Sequence, residues 1–274
     1  MIVRGLESCA NGMLALMDAN DNTANNLANV NTYGFKKGSI RFKDVMQSAI
    51  YTQSDSILRS SNDSRYLGTL SVGSESLSYT HDFSQGALTK TDNPYDLAIE
   101  GDGFFKIQDS DGKISYTRNG SFTRNNEDYL VTKQGEYVLD VRNRKIRMIP
   151  EDLDPDLIRD KIQIVIGENG NIEMNAGMQK IPMQTIGIWD FSDKDDLFEI
   201  SDTRFVPKSP DENPELRSEK FTVQQGMLEL SNSNVIREMI STINTTRNYE
   251  SLARIVSTNG EMLTTAVAVG RLRQ

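Results

Sequence analysis

The sequence has a single cysteine, Cys9, and a single histidine, His81. One thiol cannot close an intramolecular disulfide. One imidazole cannot build a multi-histidine metal site, and Cys9 offers it no zinc partner. Cys9 reads as a small apolar residue on a helix face, not as a reactive thiol. Positive charge is also short: 30 Lys and Arg stand against 39 Asp and Glu, for a net charge of -9. That balance argues against a nucleic-acid partner, which calls for clustered basic residues. It argues more weakly against an anionic membrane surface. No run approaches the roughly 18 apolar residues of a membrane span. Glu7 and Asn11 interrupt the N-terminal apolar run, and no small-residue cleavage site follows. A cleaved secretory signal is therefore not expected, and the protein either stays in the cytosol or leaves by a route that removes nothing. Hydrophobic residues make up 37% of the 274 positions. That is below the usual share of about 45–50%, so part of the chain can bury a core without the whole being one ball.

Helical signals sit at the two ends. Ile2, Leu6, Cys9, Met13, Leu16, Asn20, Thr23 and Leu27 alternate spacings of four and three, a heptad seam. Its first half is apolar and its second mostly polar. Asn20, Asn22, Asn25, Asn26, Asn29 and Asn31 crowd the C-terminal half, where Asn forms helix poorly. Gly34 offers a stop. A lone helix of about 30 residues would span about 45 Å but be marginal in water. The asparagines have two readings. Either the helix end frays into a turn, or buried amides set the register between neighbouring helices.

After Gly226 the helical period returns. Ile236, Ile240 and Ile243 form one stripe. Leu252, Ile255, Met262, Ala266 and Val269 form another, and Met239, Val256, Leu263 and Val267 occupy a third face. Apolar residues wrap most of the way round, which implies more than one partner helix. Ser231 or Ser233 can cap the start. The helix can run from Asn234 to Gly270, about 55 Å.

Between the ends the pattern is β. Ile40, Phe42, Val45, Met46 and Ile50 suggest a short amphipathic piece, and the Ser- and Asp-rich 53–65 a connector. Strands are expected from about Ala87. Turn signals stand at Asp111-Gly112, Asn119-Gly120, Asn125 to Asp128, Gln134-Gly135 and Asn169-Gly170. Val206 to Lys220, with Pro207, Pro210 and Pro214, reads as a surface excursion or connector. The expected class is α+β: N- and C-terminal helices packed as a coiled-coil-like pair, with a central antiparallel all-β portion. The expected divisions are a terminal helical domain (1–34 and 233–274), a connector with extended or β segments (35–90 and 207–232) and a β-rich domain (91–206).

No catalytic group is persuasive. His81 has no nucleophile-elbow motif to serve. Gly101-Asp102-Gly103 lacks the third Gly and the following helix of a phosphate loop, and reads as a tight turn. Asp152, Asp154 and Asp156 alternate like a calcium loop, but Leu157 and Gln163 replace the required Gly and Glu. The run Arg142-Asn143-Arg144-Lys145-Ile146-Arg147 reads as an exposed hairpin face, with a patch for an acidic neighbour as the alternative. Nothing calls for a cofactor, a metal or an enzymatic role.

Four blocks carry a family likeness. Gly12-Met13 through Asn25-Asn26-Leu27-Ala28-Asn29-Val30-Asn31-Thr32-Tyr33-Gly34-Phe35-Lys36 resembles the N-terminal signature of the bacterial flagellar rod and hook protein family. Gly101-Asp102-Gly103-Phe104-Phe105 and Tyr116-Thr117-Arg118-Asn119-Gly120-Ser121-Phe122 resemble its internal motifs. Gln225-Gly226-Met227-Leu228-Glu229, Ser231-Asn232 and Arg247-Asn248-Tyr249-Glu250 resemble its final block, although Ser233 departs from the usual Ser-Asn-Val run.

The resemblance implies a structural subunit of the basal-body rod, the drive shaft that carries torque from motor to hook. It implies terminal helices paired in an inner tube, β parts facing outward, and export through the flagellar type III apparatus without cleavage. It places the protein in the rod, across the periplasm. The implied partners are copies of the chain, other rod proteins, hook subunits, the surrounding rings and the export apparatus. The polar Asp18 to Asn22 leans toward the proximal rod. The expected assembly interface is Leu6, Met13, Leu16, Asn25, Asn26, Leu27, Asn29 and Asn31 at one end of the chain. At the other end it is Ile236, Met239, Ile240, Ile243, Leu252, Ile255, Val256, Met262, Leu263, Ala266 and Val269. The first 30 or so residues are expected to be disordered in the free subunit. The competing reading is a soluble β-rich surface binding module with helical ends.

Overall fold

A computed structural model of the chain describes residues 2–44, 47–52, 65–71, 74–149, 163–176, 179–201, 203–218 and 220–271. For 2–4, 42–44, 47–52, 65–71, 74–78, 176, 179 and 270 it describes the backbone alone. The chain divides into two compact units. A helical unit comprises Met1–Leu27, Gly38–Tyr79 and Val235–Gln274, and a β unit comprises Ala28–Lys37 and Thr80–Asn234.

The helical unit contains α1 (Ile2–Ala28), β1 (Gly38–Asp44), β2 (Gln47–Thr52), β3 (Arg65–Ser71), β4 (Ser74–His81) and α2 (Val235–Arg271). β1 pairs with β4, and β2 with β3. Strands therefore start well before Ala87. Ile40 and Phe42 are two apart, the strand period, and lie in β1, while Ile50 lies in β2. The amphipathic piece expected here is thus two strands. Val45, Met46 and most of the expected connector, 53–64, lie outside the described residues, as do the alternating aspartates at 152–156.

The half-buried positions of α1 follow the predicted seam: Leu6, Cys9, Met13, Leu16, Asn20 and Leu27, with Thr23 buried. α2 carries a matching seam. Its inward positions are Glu238, Thr242, Thr245, Tyr249, Leu252, Val256, Asn259 and Leu263, a strict alternation of four and three. A Cβ on Gly12 would lie 3.3 Å from Leu252 Cδ1. Further along α1, Leu16, Met17, Asn20 and Asp21 line a groove with Thr245, Thr246 and Tyr249. Numbers rise on one helix as they fall on the other, so the pair is antiparallel. The polar half of α1 therefore meets the polar half of α2, and apolar meets apolar. α2 starts at Val235, which puts Asn234 at the cap position. Ser231 instead folds the preceding turn, its Oγ accepting the Ser233 N–H at 3.1 Å.

The β unit contains β5 (Leu88–Lys90), β6 (Leu97–Gly101), β7 (Phe104–Gln108), β8 (Ile114–Thr117), β9 (Phe122–Arg124), β10 (Leu130–Thr132), β11 (Tyr137–Val138) and β12 (Gln163–Ile166). It continues with β13 (Asn171–Ala176), β14 (Gln179–Thr185), β15 (Ile188–Asp190), β16 (Leu197–Ser201), β17 (Arg204–Pro207), β18 (Leu216–Arg217), β19 (Phe221–Gln225) and β20 (Met227–Glu229). Among the described residues, a nine-stranded antiparallel sheet runs β16-β17-β8-β7-β11-β10-β9, with β15 joining β7 and β18 joining β15. β12, β13 and β14 form a separate meander, and β19 and β20 pair with β6 and β5.

Strand β7 is buried on both faces. Phe105 and Ile107 enter a core with Leu97, Phe122, Leu130, Ile172 and Val223. Phe104 points the other way, into a cluster with Tyr116, Phe191, Leu197 and Phe205. Ile188 and Trp189 divide between the same two clusters, as expected of neighbours on a strand. The segment after β17 stays within the β unit. Lys106 Nζ binds Glu215 Oε1 at 2.6 Å and lies 4.8 Å from the Trp189 ring, and Asn213 donates to the Asp193 carbonyl at 2.6 Å.

Most turn signals form hairpins: Asp111-Gly112 joins β7 to β8, Gln134-Gly135 joins β10 to β11, and Asn169-Gly170 joins β12 to β13. Asn119-Gly120 does not. β8 pairs with β7 and β17, whereas β9 pairs with β10. Here Asn119 Oδ1 accepts the Ser121 N–H at 3.0 Å, and a Cβ on Gly120 would sit 1.6 Å from the Leu97 carbonyl oxygen. Glycine is required at this position by the close approach of another strand.

Candidate assembly surface

The asparagine cluster resolves into two kinds of residue. α1 stops at Ala28. Asn29 and Asn31 then lie in a turn, where Asn29 Oδ1 accepts the Thr32 hydroxyl at 3.0 Å. Asn26 is fully buried. Its Nδ2 donates to the Gly38 carbonyl at 2.9 Å, and its Oδ1 accepts the Gly38 N–H at 2.9 Å. Asn22 donates to the same carbonyl at 2.9 Å. The Asn26 amide thus acts as a strand edge for the start of β1 and is committed inside the chain. Asn25 and Asn31 are exposed, and Asn29 is half-buried.

The apolar set on α2 divides by face. Leu252, Val256 and Leu263 are half-buried on the seam toward α1. Ile236, Met239, Ile240 and Ile243 are 68%, 51%, 53% and 51% exposed. Their spacing of three, four and seven places them on one side of the helix. Ile255, Met262, Val267 and Val269 are also exposed, with Ala266 beside them. On α1 the expected Leu6, Met13, Leu16 and Leu27 are half-buried, while Leu14 and Met17, off the heptad, are exposed. Sequence reasoning missed those two because it followed only the seam. Solvated side chains of this size in a row are the kind of surface that marks a protein contact.

Just ahead of α2, the chain is fixed by a buried ion cluster in the β unit. Glu229 Oε1 lies 2.7 Å from Lys36 Nζ and accepts the Gly86 N–H at 2.8 Å. Arg118 Nη1 lies 3.5 Å from Glu229 Oε2, and Arg118 Nη2 donates to the Gly101 carbonyl at 2.8 Å. Burial pulls the Lys36 ammonium below its ordinary value, with Glu229 opposing that shift. Burial lowers the Arg118 guanidinium in the same way, again opposed by Glu229. Around the cluster, Gly34 N–H donates to the Glu229 carbonyl at 2.8 Å, and Asn232 Oδ1 accepts the Lys37 N–H at 2.7 Å. Gly34 holds φ 69°, and a Cβ there would lie 2.3 Å from the Asn119 nitrogen. The blocks around Lys36, Gly101, Arg118 and Glu229, far apart in sequence, meet at this point. Their meeting could have been suspected from charged residues standing inside otherwise apolar motifs.

Known proteins match the chain over nearly its whole length. The profile described as "Flagellar hook protein FlgE/F/G D1 domain" matches residues 98–174, and "Flagellar basal body rod FlgEFG protein C-terminal" matches 224–269. The chain is 33% identical to "Flagellar basal-body rod protein FlgG" of Borreliella burgdorferi, over 96% of this chain and 97% of that one. The chain belongs to the flagellar basal-body rod protein family. It is 30% identical to a protein of the same name from Bacillus subtilis, over 98% of this chain and all of the relative. It is 33% identical to "Flagellar basal-body rod protein FlgF" of Caulobacter vibrioides, over 90% and 89%. The family is structural and a component of the flagellum, so this rod-family protein is not an enzyme. The reading as a free-standing binding module gives way to that membership. Among the described residues no helix is long and apolar enough to cross a membrane.

Proposed function

We propose that the chain is a wall subunit of the flagellar rod and that the exposed face of α2 is its principal adhesive surface. The observation carrying this is the row Ile236, Met239, Ile240 and Ile243, each more than half exposed on one side of a helix whose other side already rests on α1. Burying such side chains contributes about 25 cal/mol per Å². A heterologous contact of this sort propagates instead of closing. In this reading copies of the chain and other rod proteins supply the facing helices. The terminal helical parts form the inner tube, and the β parts face outward. The shaft crosses the periplasm, meets hook and rings, and passes torque to the hook. Export proceeds through the flagellar apparatus without cleavage.

Asn22 lies in the polar stretch that leaned toward the proximal end, and its bond to Gly38 gives that polarity an internal role. Relatives named FlgG and FlgF both occur at 33% identity. The proposal therefore covers a rod subunit at either level.

The test is Ile240→Glu with Ile243→Glu. The purified variant should unfold at the same urea concentration as the parent, because both side chains are exposed. A strain carrying only the variant should lack complete rods in electron micrographs and should not swim. Normal rods and normal swimming would overturn the proposal.

A further inference from the structure

A polar groove of about 970 Å³ lies on the β unit beside the turn at Asp140. Arg142, Arg144 and Arg217 line it together with Asn169, Asn171 and Gln184. The turn carrying the first two arginines is held firmly. Asp140 Oδ1 accepts the N–H groups of Arg142 at 2.7 Å and Arg144 at 2.8 Å, and Asn143 takes φ 59°. The Arg144 side chain is neutralised by Asp140, at 2.8 Å. Arg142 and Arg217 are exposed, and among the described residues neither has an acidic side chain in ion-pair reach. A groove in which guanidinium and amide groups outnumber the apolar Val141, Met183 and Phe221 is unlike the mainly apolar pockets that take small molecules. It suits an acidic stretch of polypeptide.

The same unit carries such a stretch. The loop between β15 and β16 holds Asp193, Asp195 and Asp196, and the loop after β17 holds Asp211 and Glu212. The loops are bonded into one knuckle. Asp196 Oδ2 accepts the Ser209 N–H at 3.1 Å, and Asn213 bridges to the Asp193 carbonyl at 2.6 Å. The lysine inside the knuckle, Lys194, is engaged by Asp102 at 2.7 Å and Asp190 at 3.5 Å. Lys208, exposed where the second loop begins and bonded through its N–H to the Asp196 carbonyl at 3.0 Å, is the other cation, so the five carboxylates leave negative charge in excess.

We infer that this groove receives the acidic knuckle of a neighbouring copy of the chain. The inference rests on the reading that copies assemble, and it names a second contact, distinct from the α2 face. Copies with a net charge of -9 repel one another at random approach. A fixed basic groove matched to a fixed acidic knuckle turns that repulsion into selection of one orientation. Matched charges of this kind set orientation and encounter rate, and reversing one side sets like charges together, which weakens affinity as well.

The experiment uses full-length protein at low salt, with self-association read by sedimentation velocity. Arg142→Glu with Arg217→Glu should weaken association about tenfold, as should Asp211→Lys with Glu212→Lys. The four substitutions on one chain should restore it, and raising the salt should weaken the parent. Circular dichroism melts establish that each variant is folded. Unchanged association in either reversed pair, or failure of the combined variant to recover, overturns the inference. Ile240→Glu with Ile243→Glu is carried alongside. Loss of rods in that variant, with the charge reversals harmless, removes the groove contact and leaves the α2 reading standing. The opposite pattern removes the α2 reading and keeps the groove.

Discussion

Lys36 Nζ and Glu229 Oε1, 193 positions apart in the chain, lie 2.7 Å from each other with neither side chain more than 1% exposed. Arg118 is the second cation on the same carboxylate. Moving charges out of water is costly, and the attraction offsets that cost only while each ion keeps its partner. Glu229 therefore holds two buried cations, whereas each cation holds only part of one anion.

That asymmetry orders the mutants. Glu229→Gln should cost about 3–5 kcal/mol, because it strands both cations. Lys36→Met should cost less, since Arg118 remains to face Glu229. Lys36→Met combined with Glu229→Leu should cost less than the sum of the two single changes. Urea midpoints with unchanged slopes are the measurement, and equal losses for the two single variants would contradict the ordering.

Asn26→Ala removes both bonds to Gly38 and leaves the buried Gly38 N–H unmatched, while Asn22 still donates to the carbonyl. A loss of about 2–3 kcal/mol is expected, while Asn31→Ala on the exposed turn should stay within about 0.5 kcal/mol. Amide exchange of the monomer should show protection rising along α1 toward Thr23 and Asn26, where the buried contacts are. Uniform strong protection down to Leu6 would mean that the helix needs no neighbouring subunit.

Three glycines separate three effects. Gly120→Ala places a methyl 1.6 Å from the Leu97 carbonyl oxygen and should prevent the native crossing. Gly135→Ala meets nothing within 4 Å but holds φ 94°, so only backbone strain of about 1–2 kcal/mol is expected. Gly260→Ala, in open space on α2, should stabilise by about 0.5–1 kcal/mol. Thermal melts of the three variants would show the sequence severe, mild, gain.

His81 gives the molecule an acid-sensitive point. Burial lowers its pKa below 6.5, against the Lys36 carbonyl at 3.3 Å, and Lys208 adds to the lowering. Glu199 is 3.6 Å away, and Phe83 and Phe205 pack against the ring. Between the folded value and 6.5 the unfolded chain binds a proton that the folded chain does not. Stability therefore rises with pH across that window and drains as the pH falls below 6.5. The urea midpoint should drop between pH 7 and pH 5, and His81→Gln should shrink that drop. An unaltered drop in the variant would assign the effect to other groups.

Local signals explain what could be read from the sequence. The α1 seam and the Asp111, Gln134 and Asn169 turns depend on residues a few positions apart, and all formed as written. β1 to β4 were missed because their pairing is long-range and their alternation short. Asn119-Gly120 misled because the same dipeptide that permits a hairpin also permits a close crossing, and only the position of Leu97 decides which. The α2 face was legible because apolar residues surround too much of one helix for a single neighbour to cover. The role of Asn26 and the Lys36–Glu229–Arg118 cluster were not legible, since each depends on a partner set by the finished fold.

The inward seam of α2 keeps its four-three rhythm from Glu238 to Leu263. A straight α-helix would let that line wander by about 20° per heptad, roughly 70° over this length. Keeping it against one neighbour throughout would require the helices to wind round each other with a left hand. A rope of one hand tightens when turned in one sense and slackens in the other. A shaft built from such strands would answer clockwise and counter-clockwise rotation with different stiffness.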